Sequence, residues 1–241
     1  MRIRVVNPNT TASMTATIAR AARAVAAAGT EIDAVTSPTG PVSIEGYHDE
    51  ALCLPGLLME IRRGEDLGAD GHVIACFDDT GLDAARQAGR APVVGIGEAA
   101  YHAATLVAHK FTVITTLERS IAPLEANLAK YGFERRGKLR AVEIPVLELE
   151  DTGLARKKIG AEIERALKED RAEAIVLGCA GMAELAAELS EAYQCPVIDG
   201  VGAAVKLVEM LATLRIQTSK RGAYGMGAPK KLSGPIADLF R

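Results

Sequence analysis

The stretch "IVLGCAGMAEL", from Ile175 to Leu185, decides the fold of this chain. An apolar run rich in Val and Ile comes first, a cysteine and two small residues follow, and an Ala-rich helical pattern begins after them. A continuous apolar run is typical of a strand in a parallel sheet whose two faces are covered by helices. We therefore predict that Cys179 lies at the carboxyl end of a buried parallel strand.

A similar stretch, "HVIACFDDTGL", begins at His72. A shift of 103 positions (179 − 76) superposes Cys76 on Cys179, and a shift of 104 (196 − 92) superposes Pro92 on Pro196. Near the start of the chain, a shift of about 108 lays "RIRVVNPN" on "KFTVITTL". Because the matches keep their order along the sequence, they indicate a duplicated lobe.

Strand and helix patterns alternate through both halves, which is typical of the α/β class. The first half gives strands "RIRVVN", "EIDAVT", "HVIAC" and "PVVGI", with helices over 11–28, 50–66 and 82–89. The second half gives strands "KFTVITT", "RAVEIPV", "AIVLGC" and "PVID", with helices over 121–131, 154–170 and 183–193. We predict two pseudo-symmetric lobes, each a four-stranded parallel sheet flanked by helices, with the active site in the cleft between them. Residues 1–97 with 210–241 form the predicted first lobe, and 98–209 the second.

Composition excludes several classes of function. The 241 residues carry a formal net charge of −3 and are 49% hydrophobic, so the chain can bury a core but offers no basic field for nucleic acid. No apolar run approaches the roughly 20 residues that span a bilayer, and "MRIRVVNPNT" lacks the apolar centre of a signal peptide. We expect a cytoplasmic protein that binds a small molecule, and neither nucleic acid nor a membrane.

The four cysteines show no C-x-x-C spacing, so we expect reduced thiols rather than a disulfide framework or a zinc site. Cys53 on an apolar helix face and Cys195 at the start of a strand fit packing roles. The four histidines are dispersed without ligand spacing, and we expect no bound metal.

Cys76 and Cys179 are different, because both follow strands at the sheet edge where ligands bind in open parallel sheets. A backbone N–H at such a strand-to-helix junction favours a thiolate. A pseudo-twofold pair of lobes would place the two thiols face to face. One ionised and one protonated thiol can remove a proton from one face of a carbon and return a proton to the other. We predict this two-base chemistry.

Several motifs together resemble the hydantoin racemases of the aspartate/glutamate racemase superfamily: "VVNPNTT", "VIACFDDTGL", "IVLGCAGM", "EIPVLELED" and "PVIDGVGAAVKLVE". The resemblance covers almost the entire chain. It implies two α/β lobes, no cofactor and one catalytic cysteine from each lobe, at Cys76 and Cys179. The related arylmalonate decarboxylases keep one of the two cysteines, whereas maleate isomerases use a pair for a different reaction.

Hydantoin chemistry agrees with the two-thiol prediction. The C5 hydrogen lies next to a carbonyl of an uncharged ring, so its removal gives a delocalised enolate that needs hydrogen-bond donors but no metal or pyridoxal group. We expect these donors to be backbone N–H groups of Phe77, Asp78, Ala180 and Gly181. The C5 substituent, alkyl, aryl, thioether or ureido, is not fixed by the sequence, nor is the cysteine that serves each enantiomer.

Polar residues at the ends of the first strand of each half are expected to contact the ring. These are Asn7, Asn9, Thr115 and Thr116. Within "NPN", Asn9 can also cap the following helix while Asn7 faces the substrate. Asp78 and Asp79 fit helix caps, and a carboxylate there would raise the pKa of a neighbouring thiol.

Other functions remain open at this point. "GIGEAA", from Gly95, fits a dinucleotide fingerprint, but it follows the fourth strand of its half, so we interpret it as a turn with small residues for close packing. Allantoin racemisation and maleate isomerisation are alternatives within the superfamily, and a two-lobed solute-binding protein is the alternative outside enzymes. We expect a homo-oligomer of undetermined size, in which the Gly/Pro-rich tail wraps the first lobe or contacts a neighbouring subunit.

Overall fold

A computed structural model describes residues 1–150, 152–228 and 230–240, without the side chains of residues 150 and 152. Its first sheet contains β1 (Arg2–Asn7), β2 (Glu31–Thr36), β3 (Gly71–Ile74) and β4 (Val93–Gly95). The strands are all parallel and lie in the order β2-β1-β3-β4. Strands β1 and β2 have the predicted bounds, because each is a six-residue run of β-branched and alternating residues between loop signals.

The second sheet repeats this arrangement. It contains β5 (Phe111–Thr115), β6 (Gly137–Ala141), β7 (Ala174–Leu177) and β8 (Val197–Asp199). These strands are also parallel, in the order β6-β5-β7-β8. The two sheets confirm the predicted α/β fold with two four-stranded lobes.

Helices cover the faces of both sheets. In the first half they are α1 (Ala12–Val25), α2 (Tyr47–Asp66), α3 (Leu82–Ala88) and α4 (Ile96–Val107). In the second half they are α5 (Ile121–Lys130), α6 (Thr152–Arg165), α7 (Ala186–Tyr193), α8 (Gly200–Thr213) and the short α9 (Pro235–Leu239). A π-helical turn, Ala166–Asp170, extends α6, and a 3-10 helix, Ala180–Leu185, precedes α7.

Helices α4 and α8 join the lobes. They pack on each other, and α8 also lies on the first sheet, where a Cβ at Gly71 would be 2.3 Å from Val208. At the start of the pair, a Cβ at Gly200 would be 2.4 Å from the carbonyl oxygen of Ile96, so glycine permits the close approach. The proposed lobe boundary at residues 209 and 210 falls within α8. The division of the chain therefore stays a proposal, with α8 as the helix that crosses between lobes.

One predicted strand is shorter than expected and shifted. "RAVEIPV" was expected to be a strand over 140–146, but β6 ends at Ala141. Val142 and Ile144 still donate N–H groups to the carbonyls of Thr115 and Thr116. Glu143 between them has a left-handed backbone with φ of 50°, and the proline at 145 cannot donate to a ladder. The chain therefore leaves the sheet and turns towards the cleft.

The C-terminal tail lies along the first lobe. Thr218 bonds to the backbone oxygens of Arg90 and Ala91, and the Tyr224 hydroxyl donates to Asp83. No helix of the described residues is long and apolar enough to cross a membrane.

Candidate active site

Cys76 and Cys179 lie in one cavity between the carboxyl ends of the two sheets. Each thiol follows the end of its strand by two residues, since β3 ends at Ile74 and β7 at Leu177. The cavity, together with its opening to solvent, contains about 420 Å³ of empty space. Its lining is Pro8, Asn9, Met14, Ile44, Ala75, Cys76, Phe77, Asp78, Thr115, Thr116, Ser120, Val146, Gly178, Cys179 and Ala180. The duplicated sheets thus bring the two cysteines into one site.

Most of the predicted site residues lie in this lining. Beside the cysteines these are Asn9, Phe77, Asp78, Thr115, Thr116 and Ala180. The Thr115 hydroxyl is engaged with the Gly178 carbonyl oxygen at 3.4 Å. Among the described residues, the hydroxyls of Thr116 and Ser120 have no such partner, so they remain free to bond a ligand.

Asn7 is the exception among the predicted side chains, and the expectation that it faces the substrate was wrong. It is fully buried, and its amide nitrogen donates to Asn9 Oδ1, the Thr11 carbonyl and Thr15 Oγ1. Asn9 takes the place in the cavity, with its own Oδ1 accepting from the Thr11 N–H at 2.9 Å. In "NPN", therefore, the first asparagine orders the turn and the second one lines the cavity.

Gly181 also lies outside the lining, but its backbone reaches the site. Its N–H donates to Sγ of Cys179, and the N–H of Asp78 donates to Sγ of Cys76. The same spacing of two residues thus recurs at both thiols. The N–H groups of Phe77 and Ala180, between each pair, have no acceptor within the described chain and adjoin the cavity. These two groups are free to bond a developing oxyanion.

The surroundings of the two thiols differ in secondary structure. Cys179 directly precedes the 3-10 helix over 180–185. Helix α3, however, begins only at Leu82, so the polar groups beside Cys76 come from the loop over 77–81. Within that loop, Thr80 Oγ1 lies 3.5 Å from Cys76 Sγ.

Apolar cavity residues were missed in the sequence analysis. Met14 comes from α1, Ile44 from the loop after β2, and Val146 from the start of the 3-10 helix Val146–Glu150 that follows β6. All three are buried and form an apolar part of the cavity wall. None of them belongs to a recognisable sequence motif. Ser120 was missed as well. Two residues separate the end of β5 from the 3-10 helix Glu118–Ser120, and only this short spacing could have indicated that Ser120 lies near the sheet edge.

Comparison with known proteins gives this site a family. A family model described as Asp/Glu/hydantoin racemase matches residues 3–208. The chain belongs to the Asp/Glu/hydantoin racemase family. This membership confirms the predicted family and the predicted class of enzyme, a racemase.

Individual relatives are similar over nearly their whole length. A hydantoin racemase of Rhizobium meliloti is 48% identical over 97% of this chain and 98% of its own. Among solved structures, an allantoin racemase from Klebsiella pneumoniae is 52% identical with a TM-score of 0.97, over 99% of this chain and 98% of that one. An allantoin racemase from Pseudomonas fluorescens is 40% identical with a TM-score of 0.93, over 97% and 100%.

Burial raises the pKa of both thiols in this family member. The pKa of Cys76 lies well above its usual value, because burial and the nearby Asp78 carboxylate both disfavour the thiolate. Burial raises the pKa of Cys179 to about 12, although the Gly181 N–H partly offsets it. Without a ligand, both thiols are therefore protonated near neutral pH.

The two predicted capping acids divide their roles. Asp79 Oδ1 and Oδ2 accept from the N–H groups of Gly97 and Glu98 at the start of α4, and the Tyr131 hydroxyl donates to Oδ2 at 2.8 Å. Asp79 therefore caps α4 rather than α3. Asp78 has no hydrogen-bond partner for its carboxyl group among the described residues and lines the cavity. Burial and the adjacent acid Glu50 raise its pKa to about 7.

The close approach of Asp79 explains the "GIG" motif. A Cβ at Gly95 would lie 2.0 Å from Asp79 Oδ1, and a Cβ at Gly97 would lie 2.3 Å from the Phe77 carbonyl oxygen. At both glycines, the loop that follows Cys76 in the same lobe occupies the space that a side chain would need. This packing supports the interpretation as a tight βα turn rather than a dinucleotide site.

Glu45 bridges the two lobes at the rim of the cavity. Its Oε1 accepts from the Val146 N–H at 2.9 Å, and its Oε2 accepts from Arg119 at 2.5 Å. The neighbouring Ile44 lines the cavity from the first lobe, as Val146 does from the second. The bridge therefore fixes two apolar wall residues against each other. Among the described residues, no group of three or more His, Cys, Asp or Glu side chains could hold a metal ion.

Proposed function

We propose that this protein is a cofactor-independent racemase that inverts C5 of 5-substituted hydantoins by proton transfer between Cys76 and Cys179. The observation that supports it is the meeting of two thiols, at equivalent strand ends, in one cavity between the lobes. Removal and return of a proton on opposite faces needs two such groups. The hydantoin and allantoin racemases among the relatives point to the same class of ring.

In the proposed reaction, one cysteine thiolate removes the C5 proton and becomes a thiol. The electron pair of the C–H bond moves into the ring and gives an enolate, whose oxygen accepts hydrogen bonds from the free N–H groups of Phe77 and Ala180. The opposite cysteine then delivers its proton to the other face of C5 and is left as the thiolate. The reverse passage uses the same groups with exchanged roles.

The charge of the cavity favours a neutral ring over a free amino acid. Among its lining residues, no side chain is cationic, so a substrate carboxylate would have no ionic partner. The acid that does line it, Asp78, would repel such a carboxylate when ionised. Asn9, Thr116 and Ser120 instead offer neutral amide and hydroxyl groups that suit ring N–H and C=O groups.

Allantoin is the second candidate substrate, and it belongs to the same class, because it is a hydantoin with a ureido group at C5. The 52% identity and TM-score of 0.97 to the Klebsiella pneumoniae allantoin racemase favour it. The 48% identity to the Rhizobium meliloti hydantoin racemase favours the broader class of 5-substituted hydantoins. Both candidates predict the same proton transfer and differ only in the group that occupies the rest of the cavity.

The test is loss of optical rotation from enantiopure 5-alkylhydantoins, 5-benzylhydantoin, allantoin and aspartate, each with the protein alone. We expect rapid racemisation of at least one hydantoin and none of aspartate. Dialysis against a chelator is expected to leave the rate unchanged. Comparable turnover of aspartate and a hydantoin, or restoration of a lost rate by zinc or manganese, would contradict the proposal.

We further propose that the protein is a cytoplasmic homo-oligomer. Size-exclusion chromatography with light scattering tests the assembly. A single species at the monomer mass across the working concentration range would contradict it.

A further inference from the structure

The two-thiol reaction needs a place for one proton. To act as a base, a cysteine must first lose its own proton, yet burial raises the pKa of both thiols far above neutrality. An ion formed by loss of that proton to bulk water would be rare near pH 7. At pH 7 an acceptor with a pKa near 7 makes the thiolate no commoner than loss of the proton to water does, but it keeps that proton in the cavity beside the sulfur atom that reacts.

Asp78 is placed to be that acceptor. Beside the two thiols, it is the only ionisable side chain in the described lining of the cavity, which contains no His, Lys or Arg. Its carboxyl group has no hydrogen-bond partner among the described residues, whereas Asp79 next to it is held by three donors. Its backbone N–H already contacts Cys76 Sγ, and its backbone oxygen is fixed by Asn127 of the other lobe at 2.8 Å.

The titratable groups that interact electrostatically with the Asp78 carboxyl group are all acids or weak acids, drawn from every element around it. They are Glu50 and Cys53 on α2, Cys76 and Asp79 in its own loop, Tyr101 on α4 and Cys179 in the second lobe. No cation among the described residues fixes the ionised form. Burial first, and then the charges of Glu50 and Asp79, raise the pKa of the carboxyl group to about 7, so it can both bind and release a proton under working conditions.

From this cluster we propose that Asp78 is the proton partner of the catalytic cysteines: its carboxylate takes the thiol proton when the reactive thiolate forms. The S–H bond breaks, its electron pair stays on sulfur, and an O–H bond forms on Asp78. Both states carry one negative charge, so no proton enters or leaves the cavity. The inference rests on the proposed two-thiol racemase and adds the group that generates its base.

This arrangement has a pH signature. Below the Asp78 pKa, the cavity is uncharged in most molecules, and activity rises as its first proton is lost. Above that pKa the cavity carries one negative charge. The fraction of molecules in which a sulfur atom, rather than Asp78, holds that charge no longer depends on pH. The wild-type kcat/KM should therefore rise to about pH 7 and then stay flat.

The Asp78→Asn variant removes the acceptor and keeps the size of the side chain. A thiol must then lose its proton to water, so the thiolate fraction grows about tenfold per pH unit up to the thiol pKa. Between about pH 7 and about pH 8.5 the ratio of variant to wild-type kcat/KM should rise roughly fifteenfold, because the variant gains about thirtyfold and the wild type about twofold. Parallel pH profiles would overturn the inference, because they would reduce Asp78 to a binding or packing role.

The Glu50→Gln variant is the matched test, because it leaves Asp78 in place and removes a negative charge that raises its pKa. The pH at which kcat/KM becomes flat should therefore fall. The plateau value of kcat/KM should fall by the factor by which the acid dissociation constant of Asp78 rises, since a stronger acid holds the thiol proton less well. An inactive Asp78→Asn variant together with an unchanged Glu50→Gln profile would also overturn the inference. Racemisation by a single-cysteine variant would instead contradict the two-thiol function itself.

Discussion

The loops that follow Cys76 and Cys179 occupy equivalent places in the two sheets, but they differ in charge. At the position two residues after the thiol, the first lobe has Asp78 and the second lobe has Gly181. Both residues give the same backbone N–H to their thiol. The duplication has therefore kept the backbone geometry at the sulfur atoms and changed the electrostatics around them, so the thiols are chemically unequal.

The same comparison extends to the helices that join the lobes. Helix α8 is capped by Asp199, the last residue of its own strand, which accepts from the N–H groups of Val201 and Gly202. Helix α4 is capped by Asp79 from the cysteine loop. In the first lobe the cap thus ties the catalytic loop to the interlobe helix, whereas in the second lobe the cap comes from the strand that precedes the helix.

The largest expected effect comes from removing either thiol. Serine is too weak an acid to form the required anion, so Cys76→Ser and Cys179→Ser should each lower racemisation by about 10³-fold or more. Each variant should still exchange the C5 hydrogen of one enantiomer with deuterated water, and the two variants should select opposite enantiomers. Proton NMR on separate enantiomers measures this, with Cys195→Ser as an active control. Equal exchange of both enantiomers by one variant would refute the two-sided arrangement.

The next effect concerns the bond between the first catalytic loop and α4. Gly97→Ala places a Cβ 2.3 Å from the Phe77 oxygen, so we expect a loss of about 2 kcal/mol in the free energy of unfolding and a fall in kcat. Chemical denaturation and a racemisation assay measure the two effects. Gly227→Ala, which meets no atom within 4 Å, is the control. The equivalent position in the second lobe already holds a valine, Val201. If Gly97→Ala left both the free energy of unfolding and kcat unchanged, the first loop would have similar room for a side chain.

A smaller effect should reveal the unequal thiols directly. Above its own pKa of about 7, the Asp78 carboxylate is the main cause after burial that raises the pKa of Cys76, whereas at Cys179 the Gly181 N–H lowers the thiol pKa by more than Asp78 raises it. With limiting iodoacetamide at pH 8, Cys179 should react several-fold faster than Cys76. Peptide mass spectrometry quantifies the ratio, and Asp78→Asn should bring it closer to one. Faster alkylation of Cys76 would reverse the proposed inequality.

The smallest effect is expected at the exposed side of the same contact between lobes. Lys130 pairs with Asp83 at 2.7 Å, and both side chains are about half exposed, so Lys130→Met should change the free energy of unfolding by less than about 1 kcal/mol. Its neighbour Tyr131 donates to the buried Asp79, and Tyr131→Phe should cost about 1 to 2 kcal/mol. Denaturant melts compare the two. A larger cost at Lys130 would mean that the exposed pair, not the buried bond, holds the lobes together.

The sequence identified the parts of the site that depend on strand position. Cys76 and Cys179 follow apolar strands in matched registers, and parallel sheets bring such ends to one edge. Thr115, which ends β5, and Thr116 line the cavity for the same reason. Asn7 was misplaced, because strand position alone cannot tell which of two nearby asparagines bonds its own turn.

Residues from loops and helix faces were beyond this reasoning. Met14 lies on α1 at a position that reads as ordinary core. Ile44 enters from the loop after β2 and Val146 from the start of the short 3-10 helix after β6, and the position of both depends on contacts between the lobes. The role of Asp79 as a cap for α4 was hidden as well, since the acid and the helix start are 18 positions apart in the chain. Such pairings follow from tertiary packing and leave no local pattern.

The contact between Ile96 and Gly200 governs the geometry of the cleft from a distance. Backbone meets backbone there with no side chain between them, so the joint has little freedom to slide, in keeping with the low compressibility of dense packing. If one lobe rotated about this contact by a given angle, its cysteine would move by a distance that grows with the separation between the contact and the thiol. Transfer of a proton tolerates very small errors in position. The alignment of the two sulfur atoms therefore depends on a rigid contact that touches neither of them.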